Sequence, residues 1–300
     1  MNRTAHVEPA GTLEHRFGVR DYDLAASLNS GQSFRWNPHG NGWVSTVCGN
    51  WVRLEQSSDV IHAQTAVPQG DWRWLGDYLQ VDVDLNAIFA SFPDDTPLRQ
   101  ATRDCRGLRL LKLDVWECLA SFILSSTKQI VQIRRIVALL CQRYGEPVAV
   151  PEGELPAFAF PTAQRLASLS ETELRECKMG FRAPYLLQTA RAVMQGDCRL
   201  ENLRRMNVDD ARSKLIELPG VGEKIANCVL LYAYGFPSAF PLDVWVIRAL
   251  RTLYFKGRKK NLAAMQRFSQ RHFGPHSGYA QQYLFHWIRT RQRKAASRDG

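Results

Sequence analysis

Residues 215–228 read LIELPGVGEKIANC, and this stretch decides the fold of the part of the chain that surrounds it. Apolar residues at helical spacing lead up to Pro219 and Gly220, which stop the first helix. Gly222 leaves the chain free to turn and to approach another backbone closely, and a second helix follows at once. The stretch therefore predicts two helices joined by a tight hairpin.

Two kinds of chemistry are favoured at this hairpin. The amides of Gly220, Val221 and Gly222 lie at a helix N-terminus without intrahelical partners, so they predict a site for a phosphate oxygen. Lys224 lies in the first turn of the second helix, where the positive end of the helix dipole disfavours its charged form. A lysine whose pKa is lowered in this way is a nucleophile at neutral pH and can form a Schiff base. A simple tight turn with Lys224 in water is the alternative.

Asp243 lies 19 residues after Lys224, in the segment FPLDVWV at 240–246. It precedes an apolar helix and so resembles an N-cap, which is by itself a sufficient explanation for an aspartate there. A carboxylate held at a helix start is also expected to stay ionised, and it can stabilise positive charge that grows on a sugar as its base departs. We therefore interpret Lys224 and Asp243 as a catalytic pair.

Patterns outside the hairpin divide the chain into a β part followed by an α part. Short alternating strands are predicted between residues 33 and 67, and the turns between them favour an antiparallel sheet. Helical spacing of apolar residues then recurs as far as residue 293. We predict an α+β fold with an antiparallel β-sheet domain over 12–110 and a mostly α-helical domain with the hairpin over 111–293. A basic, disordered tail is expected over 294–300.

Composition and charge restrict the class of protein. The chain has 300 residues, of which 45% are hydrophobic and 23% charged, so it has globular composition and room for two domains. A net charge of +10 favours a polyanion such as nucleic acid, with a basic surface that only aids solubility as the alternative. No apolar run is long enough to span a bilayer and no signal peptide is found, so we expect an intracellular protein that binds no membrane. The seven cysteines form no CxxC pair, which argues against a disulfide framework and a zinc site.

Several separate motifs carry a resemblance to one protein family. The hairpin sequence LPGVG with Lys224, followed by PLDV at 241–244, resembles the helix-hairpin-helix-Gly-Pro-Asp superfamily of DNA glycosylases. The segments SGQSFRW at 30–36 and ECLASFILSS at 117–126 resemble signatures of the 8-oxoguanine DNA glycosylases. The similarity runs from about residue 17 to residue 287, and the motifs follow the family's order.

The resemblance implies a base-excision-repair enzyme that removes 8-oxoguanine from duplex DNA and also acts as an AP lyase. Lys224 matches the nucleophile that attacks C1′ of the sugar, forms a Schiff base and supports strand cleavage by β-elimination. Asp243 matches the essential carboxylate. Such an enzyme must extrude the damaged base from the duplex into a pocket.

Four residues match the positions that read the extruded base. Gly31 matches a glycine whose carbonyl accepts a hydrogen bond from N7–H of the oxidised base, a proton that guanine lacks. Cys228 and Phe285 match the two residues that sandwich the base, and Gln281 matches the one that reads its Watson–Crick edge. The spacing is consistent, since Cys228 lies one turn after Lys224 and Phe285 one turn after Gln281.

Other positions match DNA contacts outside the base pocket. Phe181 matches a wedge that fills the gap left by the flipped base, and Arg182 matches an arginine that addresses the opposite base. Thr127 and Lys128 stand where the family's animal members carry asparagines, and Trp245 replaces a histidine near a phosphate. Because Thr127 and Lys128 depart from the family pattern and Gln132 replaces a second arginine that contacts the opposite cytosine, a strict preference for cytosine opposite the lesion is not implied.

The proposed chemistry requires no cofactor or metal. No cysteine follows Cys228, which excludes the iron–sulfur motif of relatives such as endonuclease III. The expected partner is double-stranded DNA that contains an oxidised purine, bound by a monomer in the bacterial nucleoid or the nucleus. Two alternatives stay open: a glycosylase for a different damaged purine, and a non-catalytic DNA-binding protein, which would need neither Lys224 nor Asp243.

Overall fold

A five-stranded antiparallel sheet precedes a larger group of helices, which confirms the predicted α+β class. The computed structural model describes residues 11–126 and 128–296, without the side chains of 293–296. The strands are β1 (Thr12–Gly18), β2 (Asn37–His39), β3 (Gly42–Val47), β4 (Asn50–Ser57), β5 (Val60–Gln69), β6 (Pro147–Val148) and β7 (Ala157–Phe158). The α-helices are α1 (Leu24–Asn29), α2 (Arg73–Leu79), α3 (Leu85–Ala90), α4 (Thr96–Asp104), α5 (Val115–Leu124), α6 (Ile130–Tyr144), α7 (Ala163–Ala167), α8 (Glu171–Glu176), α9 (Ala183–Gln195), α10 (Val208–Ile216), α11 (Glu223–Val229), α12 (Val244–Leu253), α13 (Leu262–Phe273) and α14 (Ser277–Ala296). Short 3₁₀-helices cover Gly180–Arg182, Leu200–Arg205 and Gly274–His276, and a π-helical turn covers Leu230–Tyr234.

The large sheet has the strand order β1-β5-β4-β3-β2. The alternating strands predicted between residues 33 and 67 are present, chiefly as β3, β4 and β5. The turn between β3 and β4 has positive φ at both Cys48 (48°) and Gly49 (77°), the geometry that matches the twist of a tight hairpin. Strand β1 was not predicted, and it pairs with β5 through residues such as Phe17 and Ile61, far apart in the sequence.

The described residues form two hydrophobic cores, one under the sheet and one among the helices, and the domain boundary at residue 110 stays a prediction. Helices α1 and α2, which were not predicted, cover the sheet and share its core through residues such as Leu28 and Leu75. Helices α3 and α4 instead contribute Leu85 and Leu98 to the core of the helical part. The reason is that α4 packs against α14, the last helix of the chain.

The predicted helical hairpin is formed by α10 and α11, but its turn depends on a different glycine. Gly220 has φ of 76°, and a Cβ there would lie 2.7 Å from Cβ of Tyr185. Gly222 has φ of −101°, which any residue can adopt. The hydroxyl of Thr189 on α9 donates to the Pro219 carbonyl at 2.8 Å, so α9 supports the hairpin from behind.

The last helix extends into the segment predicted to be a disordered tail. Helix α14 reaches Ala296, so residues 294–296 are helical, and residues 297–300 lie outside the described range. None of the helices described is long and apolar enough to cross a membrane.

Candidate active site

A cavity of about 850 Å³ lies where α11, the start of α12, α14 and the segment between α5 and α6 meet. Its lining includes eight residues that the sequence singled out: Gly31, Lys128, Lys224, Cys228, Asp243, Trp245, Gln281 and Phe285. Both predicted catalytic residues and all four predicted base-reading residues therefore share one cavity. Their individual roles stay predictions.

The C-terminal end of α5 holds the side chain of Lys224. The Nζ atom donates to Oγ of Ser125 at 3.1 Å and lies 5.0 Å from the ring centroid of Phe122. The Ser125 hydroxyl donates its own proton to the Phe122 carbonyl at 2.7 Å, so its lone pairs face the ammonium group. Ser125 was not predicted as a site residue, because only the packing of α5 against α11 brings it to Lys224.

Asp243 is the N-cap of α12, as predicted, and it is also largely desolvated. Its Oδ1 accepts hydrogen bonds from the amides of Trp245 at 3.0 Å and Val246 at 2.8 Å. Burial raises the pKa of this carboxyl above its ordinary value, and the two amides and the charges of Lys224 and Arg289 oppose that rise. Desolvation therefore has a larger effect on the pKa of Asp243 than the two capping amides, and the ionised state of this carboxyl stays a prediction.

Gly31 forms the part of the wall opposite α14. Its φ is 83°, in the left-handed region that favours glycine. A Cβ at this position would lie 2.9 Å from Cδ1 of Ile130 and 3.5 Å from Cε1 of Phe285. Both the backbone conformation and the space therefore require glycine here.

Buried side-chain amides fix the segment that carries Gly31. Nε2 of Gln282 donates to the Ser30 carbonyl at 3.2 Å, and Oε1 of Gln282 accepts from the Tyr232 hydroxyl at 2.7 Å. Gln32, which is fully buried, donates from Nε2 to the Arg109 carbonyl at 2.7 Å. The backbone on either side of Gly31 is thus anchored before any ligand binds.

Gln281 and Cys228 present different chemistry to the same cavity. Gln281 is only 3% exposed, and within the described part of the chain its Oε1 has no hydrogen-bond partner. A buried acceptor without a partner costs free energy, which favours a ligand that donates to it. Burial raises the pKa of the Cys228 thiol to about 11, so this side chain is uncharged at neutral pH and offers an apolar surface.

The predicted wedge and its neighbouring arginine lie outside the cavity. The ring of Phe181 is 55% exposed, as a wedge requires. Arg182 is only 2% exposed and donates to the carbonyls of Ser126 and Met179. The guanidinium therefore points inward in this conformation, and its contact with the opposite base stays a prediction. Thr127, also predicted to contact DNA, lies outside the described residues.

The hairpin offers fewer free amides than predicted. The amide of Val221 donates to the Leu218 carbonyl at 3.1 Å and closes the turn, so it is not available to a phosphate. For the amides of Gly220 and Gly222, no partner is found among the residues that the structure covers. A Cβ at Gly222 would meet no atom within 4 Å, so a phosphate can approach this side of the turn.

Two family models together match most of the chain. The 8-oxoguanine DNA glycosylase N-terminal domain matches residues 16–119, and the HhH-GPD superfamily of base excision DNA repair proteins matches residues 120–274. The chain belongs to the 8-oxoguanine DNA glycosylase family. The resemblance of the sequence motifs to this family is therefore confirmed, and it extends over residues 16–274.

Individual relatives agree with this membership. A probable N-glycosylase/DNA lyase of Methanothermobacter thermautotrophicus is 31% identical over 91% of this chain and 96% of its own length. The structure of MBOgg1 with a low-affinity DNA ligand has a TM-score of 0.89 and 31% identity, covering 94% of this chain and 97% of that one. The Clostridium acetobutylicum 8-oxoguanine glycosylase/lyase, bound to duplex DNA with cytosine opposite 8-oxoG, has a TM-score of 0.86 and 27% identity, covering 90% and 93%. The matches confirm the predicted class, a DNA N-glycosylase with AP lyase activity. The monomeric state and the location inside the cell stay predictions.

Proposed function

We propose that the protein excises 8-oxoguanine from duplex DNA and then cleaves the strand at the resulting abasic site. The observation that carries this proposal is the single cavity in which Lys224 and Asp243 face Gly31, Gln281 and Phe285. Its volume of about 850 Å³ lies within the range of small-ligand pockets, so an extruded nucleotide can enter it.

Discrimination between 8-oxoguanine and guanine would depend on Gly31 and Gln281. The oxidised base carries a proton at N7, whereas guanine has a lone pair there that would face the Gly31 carbonyl without a hydrogen bond. The buried Oε1 of Gln281 can accept a hydrogen bond from an N–H on the Watson–Crick edge of the base. Both contacts need a fixed wall, which the anchored segment around Gly31 provides.

The proposed reaction uses Lys224 as an amine and Asp243 as a carboxylate. The Lys224 nitrogen bonds to C1′ while the bond from C1′ to N9 breaks, and the base leaves with the electron pair and takes up a proton. Ionised Asp243 stabilises the positive charge that develops on the sugar. Opening of the sugar gives a Schiff base, and loss of a C2′ proton then expels the 3′ phosphate by β-elimination. Ser125 would orient the Lys224 nitrogen toward C1′.

The test is borohydride trapping on a duplex that contains one 8-oxoguanine, with wild type, Lys224→Gln and Asp243→Asn. We expect a covalent adduct with wild type and none with Lys224→Gln. Lys214→Gln is the matched control, because Lys214 is exposed on α10 and pairs with Glu217 outside the cavity. It should trap like wild type.

The same experiment separates the alternatives. An adduct that persists in Lys224→Gln would assign the nucleophile to another group. Base release from duplexes with alkylated or other oxidised purines, but not from the 8-oxoguanine duplex, would support the different-purine alternative. The absence of base release and of an adduct with every damaged duplex would leave only DNA binding.

A further inference from the structure

Positive charge is concentrated in the last fifth of the chain. Residues 244–298 contain 13 Lys and Arg and no Asp or Glu, whereas the whole chain has a net charge of +10. The rest of the chain is therefore slightly acidic, with a net charge of −3. The basic segment forms α12, α13 and α14 and begins directly after Asp243, so the excess charge starts at the cavity.

Six of these side chains follow one another along α12 and the loop after it, and we call them the cationic track. The track consists of Arg248 and Arg251 on α12 and of Lys256, Arg258, Lys259 and Lys260 in the loop to α13, all of them exposed. Arg248 donates to Oε1 of Gln292 at 3.2 Å and lies 5.6 Å from the ring of Trp245. Both of those neighbours line the cavity. One turn later, Nε of Arg251 donates to the carbonyl of Gly257 at 3.3 Å, which ties α12 to the loop that carries the other four cations.

The charges of the cationic track are not neutralised by acids. Across residues 11–126 and 128–296, no ion pair joins a track residue to a carboxylate. Arginines elsewhere are paired, for example Arg73 with Asp71 and Arg143 with Glu176. An acid from outside the basic segment, Asp95, does contact it, but through Tyr254 and His272. A row of unpaired cations fits a polyanion better than a protein surface of mixed charge.

The length of the track fits several phosphates. Helix α12 has ten residues and spans about 15 Å from Asp243 to the loop. Phosphates along one strand of a duplex are about 3.4 Å apart in the axial direction, so this distance corresponds to roughly four nucleotides. The loop is therefore far enough from Asp243 to contact phosphates several nucleotides away from the one at the cavity.

We propose that the cationic track binds the sugar–phosphate backbone of the duplex on one side of the lesion. This inference rests on the proposed function only in placing the damaged nucleotide at the cavity. The track contacts phosphates and no base edges. It extends the bound stretch of DNA in one direction from the lesion, so affinity should depend on whether the duplex is long on the 5′ or on the 3′ side of the lesion.

The experiment measures binding to two duplexes of equal length, about 25 base pairs, chosen to exceed the roughly four-nucleotide reach. A stable abasic analogue is placed near the 5′ end of its strand in one and near the 3′ end in the other. The test variant is Lys256→Gln, Arg258→Gln, Lys259→Gln and Lys260→Gln combined. The control replaces Arg73, Arg99, Arg143 and Arg175 by Gln, which gives the same change in net charge at exposed, paired arginines.

For wild type and for the control, we expect the logarithm of the binding constant to fall more steeply with the logarithm of salt concentration on one duplex than on the other. The test variant should lose that difference, with a slope reduced by about 0.9 for each phosphate contact removed, or roughly 2 to 4 in all. Equal binding of both duplexes by wild type, or equal weakening on both by the test variant, would overturn the proposal. Because the abasic analogue contains no base, failure to excise 8-oxoguanine would leave this result unchanged, and the two proposals fail separately.

Discussion

The cavity wall around Gly31 and Lys224, which we propose faces the lesion, and the edge at Phe181 and Arg182, which we propose faces the opposite strand, are built in different ways. On the lesion side, Gly31 is held by buried amides and Lys224 is held by the end of α5. On the opposite side, the ring of Phe181 is exposed and Arg182 points inward to protein carbonyls. The lesion side is organised before DNA binds, which favours discrimination, whereas the other side must be completed by the DNA itself. We therefore expect strong selectivity for the damaged base and weak selectivity for its partner.

The largest effect is expected from Gly31→Ala. The new methyl group would collide with Ile130 and force a left-handed conformation, so excision of 8-oxoguanine should fall by roughly 10²- to 10³-fold. Gly49→Ala is the matched control, since Gly49 has a similar φ of 77° but no atom within 4 Å of an added Cβ. Both variants should lose about 1–2 kcal/mol of stability from the strained backbone. Single-turnover excision is the measurement, and equal activity of the two variants would show that the wall at Gly31 is not rigid.

A smaller effect is expected from Ser125→Ala. Loss of the acceptor frees the Lys224 nitrogen to move, so the rate of borohydride trapping should fall by about tenfold. Binding of a stable abasic duplex should not change, because Ser125 is not expected to touch the DNA backbone. Ser125→Thr keeps the hydroxyl and should restore most of the trapping rate. A variant in which trapping and binding fall together would instead indicate a general disturbance of α5.

The buried carboxyl of Asp243 should also lower the free energy of unfolding of the protein at neutral pH. The folded protein raises the pKa of Asp243 above its ordinary value of 3.8, so ionising this carboxyl costs folding free energy at higher pH. Asp243→Asn retains a capping group and removes the charge, so it should be more stable than wild type at pH 7. The gain should disappear as pH falls below about 4, where the carboxyl is protonated in both states. Urea unfolding at both pH values tests this, and a variant less stable at pH 7 would contradict it.

The smallest effect on catalysis is expected from Arg182→Met. Because the guanidinium donates to Ser126 and Met179, its loss should lower the free energy of unfolding by about 1–3 kcal/mol. The ratio of excision opposite cytosine to excision opposite adenine should change by less than about threefold. A good contact with a base is worth about 1–3 kcal/mol, and the inward-pointing Arg182 makes no such contact in this conformation. Excision rates on the two duplexes check this. A tenfold change would show that Arg182 turns outward when DNA binds.

The features predicted from the sequence are those encoded by neighbouring residues. The hairpin, the N-cap at Asp243 and the pairing of Gln281 with Phe285 on one helix face all follow from local spacing. Strand β1 and the partner of Lys224 could not be found in this way, since their contacts join residues far apart in the sequence. The inward direction of Arg182 was missed for the same reason, because its acceptor at Ser126 lies 56 residues away.

The assignment of glycines shows the same limit on a smaller scale. The sequence suggested that Gly222 makes the turn, but a glycine's role depends on what lies opposite it. Gly220 is required because Tyr185, on a different helix, occupies the space that a Cβ would need. Gly222 instead leaves one side of the turn open, and this matters only for a ligand such as a phosphate, which the sequence alone does not reveal.

Gln32 has a consequence for how this protein can change over generations. It touches no nucleotide in the proposed reaction, yet its fully buried amide ties the segment of Gly31 to the Arg109 backbone. Selection for accurate repair should therefore retain this glutamine as strictly as the nucleophile itself. The exposed edge at Phe181 is under no such constraint, so we expect descendants of this chain to acquire new preferences for the opposite base while they keep the proposed specificity for the lesion.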